Sequence, residues 1–155
     1  MKIDWKRLLI NLGIPLAVGG LASLLSGGMG DYKTLNQPPL SPPGWIFPVV
    51  WSVLYLLMGY GAYRVQVSGK DPAAIKKATR LYGLQLLLNF LWPIVFFGFG
   101  WYLVAFFLLV GLWVAIYLTI RSFSGIDELA GDLLLPYILW VTFAGYLNLG
   151  VYLLN

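Results

Sequence analysis

The sequence predicts an all-α membrane protein, a bundle of five transmembrane helices with a proline-rich outer loop capping a cavity. Two compositional observations carry this. Of 155 residues, 60% are hydrophobic and only 10% are charged, whereas a soluble domain carries roughly a quarter charged residues. Such a chain lacks the polar side chains to cover a globule in water. The third observation is spacing: the apolar residues fall into five segments, each near the roughly 20 residues needed to cross a bilayer.

The spans are read at about residues 8–25, 45–67, 81–97, 101–120 and 129–154. The first follows Lys2, Lys6 and Arg7 in the manner of a secretory leader. Its apolar stretch exceeds the roughly 7–15 residues of such a leader, so it reads as a membrane span. Gly27 and Gly28 close it. The second span is led in by "PPLSPPGWIFPVVW", which starts at Pro38. Proline fixes φ and pushes the residue before it out of the helical region, so this is a stiff, non-helical segment. Lys70, Asp71 and Pro72 break the chain after the second span. Gly98 and Gly100 make a tight turn between the third and fourth, and residues 122–127 join the fourth to the fifth. The chain reads as one domain over residues 1–155, without repeats.

Charge placement gives an orientation. All ten Lys and Arg except Lys33 fall on the side of the N-terminus, which the positive-inside rule makes cytoplasmic. The proline loop and the C-terminus then lie outside. Topology accounts for the net charge of +4, and no nucleic-acid partner is expected. Asp31 is the only outer acid. Asp127, Glu128 and Asp132 lie on the other side.

The sequence has no Cys and no His, which removes thiol chemistry and the usual ligands of zinc and haem iron. No Asp, Glu, Lys or Arg occupies the middle of a span. Ion-coupled carriers keep ionisable groups at mid-depth, so a pump is disfavoured, as is ordinary acid–base catalysis. Trp5, Trp45 and Trp101 sit at span ends, where an interfacial belt forms. Deeper residues align at helical spacing: Trp51, Tyr55 and Met58 on the second span; Gln85, Asn89, Trp92 and Phe96 on the third; Tyr137, Trp140, Ala144 and Asn148 on the fifth. Two readings fit. The amides can bond helix to helix, or the three faces can enclose an aromatic pocket with a few polar groups. Gly13, Ala17 and Gly20 give the first span a small-residue face, expected to pack within the bundle rather than across a dimer.

At the level of motifs the chain resembles the TspO/MBR family, the tryptophan-rich sensory proteins and translocator proteins. The likeness rests on the pattern Y-x-x-L-x-x-P-x-x-x-P-P from Tyr32 to Pro43, then Trp45, "VVWSVLYLLMGYGAY", "LQLLLNFLWPIVFFG" and "LLLPYILWVTFAGYLN". It implies a five-helix bundle, commonly a homodimer, with a cavity beneath the first outer loop. It implies binding of porphyrins such as protoporphyrin IX and haem, and of isoquinoline carboxamide and benzodiazepine drugs, with no cofactor required. By motif match, Trp51 and Trp140 are linked to porphyrin binding and, in bacterial members, to light- and oxygen-dependent porphyrin breakdown, where they would be the catalytic pair. Tyr32, Pro42, Pro43, Asn89 and Trp92 would line or cap the cavity. Tyr55, Tyr137 and Ala144 join this site from the facing pattern. Leu40 stands where the family usually has an aromatic, and no Lys or Arg follows Arg121. The animal sterol pattern is therefore missing, and strong cholesterol binding is not expected by that route. The resemblance leaves three roles open: tetrapyrrole receptor or sensor, photo-oxidative enzyme, and transporter of porphyrins or other lipophiles.

Overall fold

Three aspartates decide where three of the helices begin. The Asp4 carboxylate accepts from the Arg7 amide and opens α1, Trp5–Leu25. Asp71 accepts from the Ala73 amide and opens α3, Pro72–Pro93, with Pro72 in the first turn, where its missing N–H is harmless. Asp127 accepts from the Ala130 amide and opens the short α5, Glu128–Asp132. A side-chain acceptor satisfies amides that a helix start leaves unpaired. The structure, a computed structural model, describes residues 2–27 and 32–155. Gly28, Asp31 and the side chain of Lys33, used above, lie outside the described residues.

The remaining helices are α2, Ile46–Gln66; α4, Tyr102–Ser124; and α6, Leu135–Leu154. Among the described residues, five helical segments are long and apolar enough to cross a membrane, the fifth comprising α5 and α6. The protein is an integral, multi-pass, all-helical membrane protein. Two boundaries depart from the sequence expectation. α3 starts at Pro72, about two and a half turns before residue 81, because its cap and good helix formers, not hydropathy, set its start. The fifth span is broken at Leu133 and Leu134. Pro136 has no N–H to return to the carbonyl of Asp132.

Around the bundle the order is α1, α2, α5 and α6, α4, α3, and α3 returns to α1. α1 and α2 cross closest at Gly59. A Cβ there would collide with the Asn11 carbonyl oxygen and lie 3.0 Å from Leu12 Cα. Pro15, inside α1, is the residue that cannot bond to that carbonyl. The same side of α1 carries Asn11, whose amide pairs with Gln66 in both directions at 3.0 and 3.1 Å. Gly13, Ala17 and Gly20, expected to pack inside the bundle, are exposed instead. Asn11, Pro15 and Ala22 take that role. The sequence shows a small-residue face, but which face turns inward depends on the partner helix.

The core holds Met58, Leu112, Ile116, Phe123, Leu134 and Tyr137, all nearly inaccessible. Outward, Leu24, Phe107, Leu139 and Leu153 are exposed, as expected of surfaces solvated by lipid tails. Trp5, Trp45 and Trp101 are also exposed, at helix ends. On the α5 side, Arg64 and Asp127 form an ion pair at 3.0 Å that ties the end of α2 to the turn before α5.

Candidate functional site

The half of the bundle carrying the proline loop encloses a cavity of about 380 Å³ between α1, α2 and α3. Drug-sized ligands occupy clefts of roughly 300–1,000 Å³. Trp51 and Tyr55 face it from α2, Asn89 and Trp92 from α3, and Leu16 and Gly19 from α1. Among the described residues, no Asp, Glu, Lys or Arg lines it. Trp51 stacks on Tyr55 with ring centres 5.7 Å apart.

Behind that wall runs a chain of neutral hydrogen bonds through three helices. Tyr55 Oη donates to Asn89 Oδ1 at 3.0 Å, Asn89 Nδ2 donates to Tyr137 Oη at 2.7 Å, and Tyr137 Oη donates to Gln85 Oε1 at 2.7 Å. All four residues are buried. Polar groups in such surroundings must find partners, and here they find one another. A second chain runs from Trp92 Nε1 to Asn148 Oδ1 at 2.9 Å and from Asn148 Nδ2 to the Tyr102 carbonyl at 2.8 Å. This bond holds the half-buried Trp92 ring in place. Pro93, beside it, removes an amide from the ladder, and the helix continues as one π-type turn, Ile94–Gly98.

Tyr32 packs against two phenylalanines of the cavity wall without lining the cavity itself. The Tyr32 ring stands edge-on to Phe47 at 5.6 Å and to Phe97 at 5.9 Å, and both phenylalanines are cavity walls. The loop is clasped to the end of α6. Tyr146 Oη donates to the Pro39 carbonyl at 2.6 Å. Asn155 Nδ2 donates to the Asn36 carbonyl at 2.8 Å, and the Asn36 amide donates back to Asn155 Oδ1 at 3.1 Å. Pro38 seats on Gly150, where any Cβ would collide with its ring. Pro42 is half-buried and Pro43 exposed; the Pro43 carbonyl accepts from Ile46 at 3.1 Å and starts α2. Leu40 is 83% exposed and has a φ of 71°.

The sequence-predicted residues thus separate into groups. Trp51, Tyr55, Asn89 and Trp92 surround the cavity. Tyr137 lies behind it, its ring edge-on to Trp51 at 6.1 Å. Tyr32, Pro42 and Pro43, expected to line or cap the cavity, are not among its lining residues, and Tyr32 packs behind Phe47 and Phe97. Ala144 is buried in the core beside α6's neighbours. Trp140 lines a separate apolar groove between α2 and α6 with Val53, Leu139 and Phe143, its ring edge-on to Phe47 at 5.9 Å.

A family model, the TspO/MBR family, matches residues 11–154. The chain belongs to the TspO/MBR family. It is 36% identical to the tryptophan-rich protein TspO of Chlorobaculum tepidum over 150 residues, covering 96% of this chain and 95% of that one. It is 35% identical to the tryptophan-rich sensory protein of Cereibacter sphaeroides over 159 residues, covering 100% and 95%. It is 37% identical to the translocator protein of Bos taurus over 142 residues, covering 87% and 82%. Every wall of the cavity lies inside the TspO/MBR match.

Sequence reasoning left out the α1 wall of this TspO/MBR chain. Gly19 and Leu16 complete the cavity, and a Cβ at Gly19 would collide with the Tyr55 ring. The Gly19-Gly20 doublet was the available signal, but only the fold shows what approaches it. Phe47 and Phe97 were also left out, for their roles depend on Tyr32 wedging between them.

Proposed function

We propose that the protein is a membrane receptor for tetrapyrroles and similar flat lipophiles, held in the cavity between α1, α2 and α3. The observation that carries this is the wall itself: Trp51, Tyr55, Trp92 and Phe47 with a single buried amide, Asn89, and no Asp, Glu, Lys or Arg among the described residues that line it. Aromatic faces stack on a flat ligand, and a few fixed polar atoms orient it. An unpaired buried carboxylate costs several kcal/mol. The propionates of protoporphyrin IX would therefore stay at the mouth while the ring enters. With no His or Cys in the sequence, iron adds little, and metal-free protoporphyrin should bind about as well as haem.

The test is a protoporphyrin IX titration of the purified protein in detergent, followed by tryptophan fluorescence. Saturable quenching that weakens in Trp51→Phe supports the reading. Undiminished binding in that variant argues for another site, and the absence of saturable binding sinks the proposal. Light-driven porphyrin breakdown is the second reading, favoured by the Trp51 indole in the cavity wall. It requires loss of porphyrin absorbance under illumination in air, reduced in Trp51→Phe and in Trp140→Phe. Trp140 would then act across the α2–α6 seam through Phe47.

Homodimerisation and a cytoplasmic N-terminus belong to the same proposal. Sedimentation in detergent tests the first. Labelling of single cysteines placed at Lys2 and Asn155 in intact cells tests the second, with only the Asn155 position expected to react from outside.

A further inference from the structure

The outward side of α4 and α6 carries an arrangement that the cavity does not use. Trp113, Tyr117 and Arg121 follow one another at every fourth residue of α4, so they share one face of the helix. All three are exposed. The Trp113 and Tyr117 rings stack with centres 5.9 Å apart and planes only 3° from parallel. The Arg121 guanidinium lies 6.0 Å over the Tyr117 ring, and its Nη1 donates to Tyr117 Oη at 3.2 Å. At the far end of this ladder, Trp113 Nε1 donates to Thr142 Oγ1 at 2.9 Å. The indole N–H is thereby satisfied by α6, and the ring offers lipid an apolar face.

Beyond Trp113 the ladder opens into an apolar groove of about 350 Å³ between α4 and α6, where Phe106, Val110 and Leu149 flank the notch left by Gly145. Trp113 stands about 12 Å from Arg121 at 1.5 Å per residue. The hydrocarbon of one leaflet is about 15 Å deep, half of the bilayer core. A lipid chain whose head sits at Arg121 therefore runs over both rings and ends in the groove.

The head is specified by charge. A guanidinium has five N–H donors. One is used on Tyr117, and the others have no partner among the described residues. Glu128 and Asp132 are exposed at this end of the bundle, but neither pairs with Arg121: the ion pairs among the described residues join Arg7 to Asp4 and Arg64 to Asp127. α4, α5 and α6 hold no other Lys or Arg. The planar fork matches phosphate oxygens, and stacking on Tyr117 holds it in place.

We infer that this face binds an anionic phospholipid of the leaflet on the α5 side. Its phosphate rests on Arg121, one acyl chain lies along Tyr117 and Trp113, and the chain end fills the groove at Gly145. The site is separate from the cavity, and its test does not depend on what the cavity holds.

The experiment places the full chain in vesicles of phosphatidylglycerol and phosphatidylcholine at a fixed ratio. One lipid or the other carries bromine on its acyl chains at equal mole fraction, and quenching of tryptophan fluorescence is read. The signal of Trp113 is the difference between a protein and the same protein with Trp113→Phe. In wild type that signal should show a roughly fivefold preference for phosphatidylglycerol, the scale of one cation near an anionic surface. In Arg121→Gln the two lipids should quench Trp113 alike. In Arg80→Gln, which removes an exposed cation of α3 outside the ladder, the preference should persist. Equal quenching by the two lipids in wild type, as for an arginine that merely reaches the membrane surface, overturns the inference. So does a preference that survives Arg121→Gln, or one that Arg80→Gln abolishes as fully. The wild-type comparison holds even where a variant fails to fold.

Discussion

Adding one methyl group to a helical glycine should stabilise this bundle at one position and destabilise it at another. In an exposed helix interior, Gly→Ala gains about 0.8–1 kcal/mol from backbone propensity. Gly13 has nothing within 4 Å of where its Cβ would stand, so Gly13→Ala should realise that gain. At Gly59 the new Cβ would run into the Asn11 carbonyl oxygen, with Leu12 Cα at 3.0 Å and the Asn11 carbonyl carbon at 3.1 Å. These are backbone atoms and cannot swing aside. Relief requires α1 and α2 to separate, and overpacking of this kind costs about 1–3 kcal/mol. Subtracting the propensity gain leaves a net loss of up to about 2 kcal/mol for Gly59→Ala. At about 2–4 °C per kcal/mol for a chain of this length, the midpoint should fall by up to about 8 °C. Thermal unfolding in one detergent, followed by tryptophan fluorescence, compares both variants with wild type. A Gly59→Ala midpoint at or above wild type would refute the argument that the α1–α2 crossing is closed by glycine against a carbonyl freed by Pro15.

Leu40 holds a left-handed backbone conformation that costs a side-chain-bearing residue about 1–2 kcal/mol, so Leu40→Gly should raise the unfolding midpoint; a lowered midpoint would mean the Leu40 side chain contributes more than its exposed position implies. For Asp127, burial pushes the carboxyl pKa up, but the Arg64 hydrogen bonds and the Ala130 amide outweigh it and hold the pKa below the ordinary value. A depressed folded pKa gives stability that is complete above the unfolded value near 3.9 and is lost as pH falls through the folded value. Wild type should therefore lose more stability than Asp127→Asn between about pH 5 and pH 2, and equal losses would remove the ion pair from this account. Tyr146→Phe deletes the hydroxyl that donates to the Pro39 carbonyl; proteolysis within the proline loop should quicken while the unfolding midpoint moves by less than about 1 kcal/mol equivalent, and an unchanged cleavage rate would show that this bond does not hold the loop to α6.

Much of the fold was legible because a membrane imposes its own period and length. Apolar runs near 20 residues marked the spans, and Asn89, Trp92, Gln85 and Tyr137 could be set on inward faces by helical spacing alone. Charged residues hid the first turns of α3, where Asp71 and two alanines outweigh hydropathy. Pro136 broke a run that looked continuous. The site was legible in part: Trp51, Tyr55, Asn89 and Trp92 line one cavity, and their motifs foretold their depth. Trp140 shares their depth but faces the α2–α6 groove, because facing depends on how far each helix is rotated against its neighbours.

By itself, the sequence determined the number of spans, the absence of Asp, Glu, Lys and Arg at mid-depth and the stiffness of the loop before the second span. These follow from local chemistry: transfer of side chains into lipid, helical periodicity and the fixed φ of proline. Only the tertiary structure decided that α1 supplies a cavity wall, that Tyr32 wedges between Phe47 and Phe97, that Tyr146, Gly150 and Asn155 hold the loop, and that Tyr55, Asn89, Tyr137 and Gln85 bond to one another. Each of these joins residues far apart in sequence. The partner of a buried polar atom is set by the packing of whole helices, and no spacing along one helix encodes it.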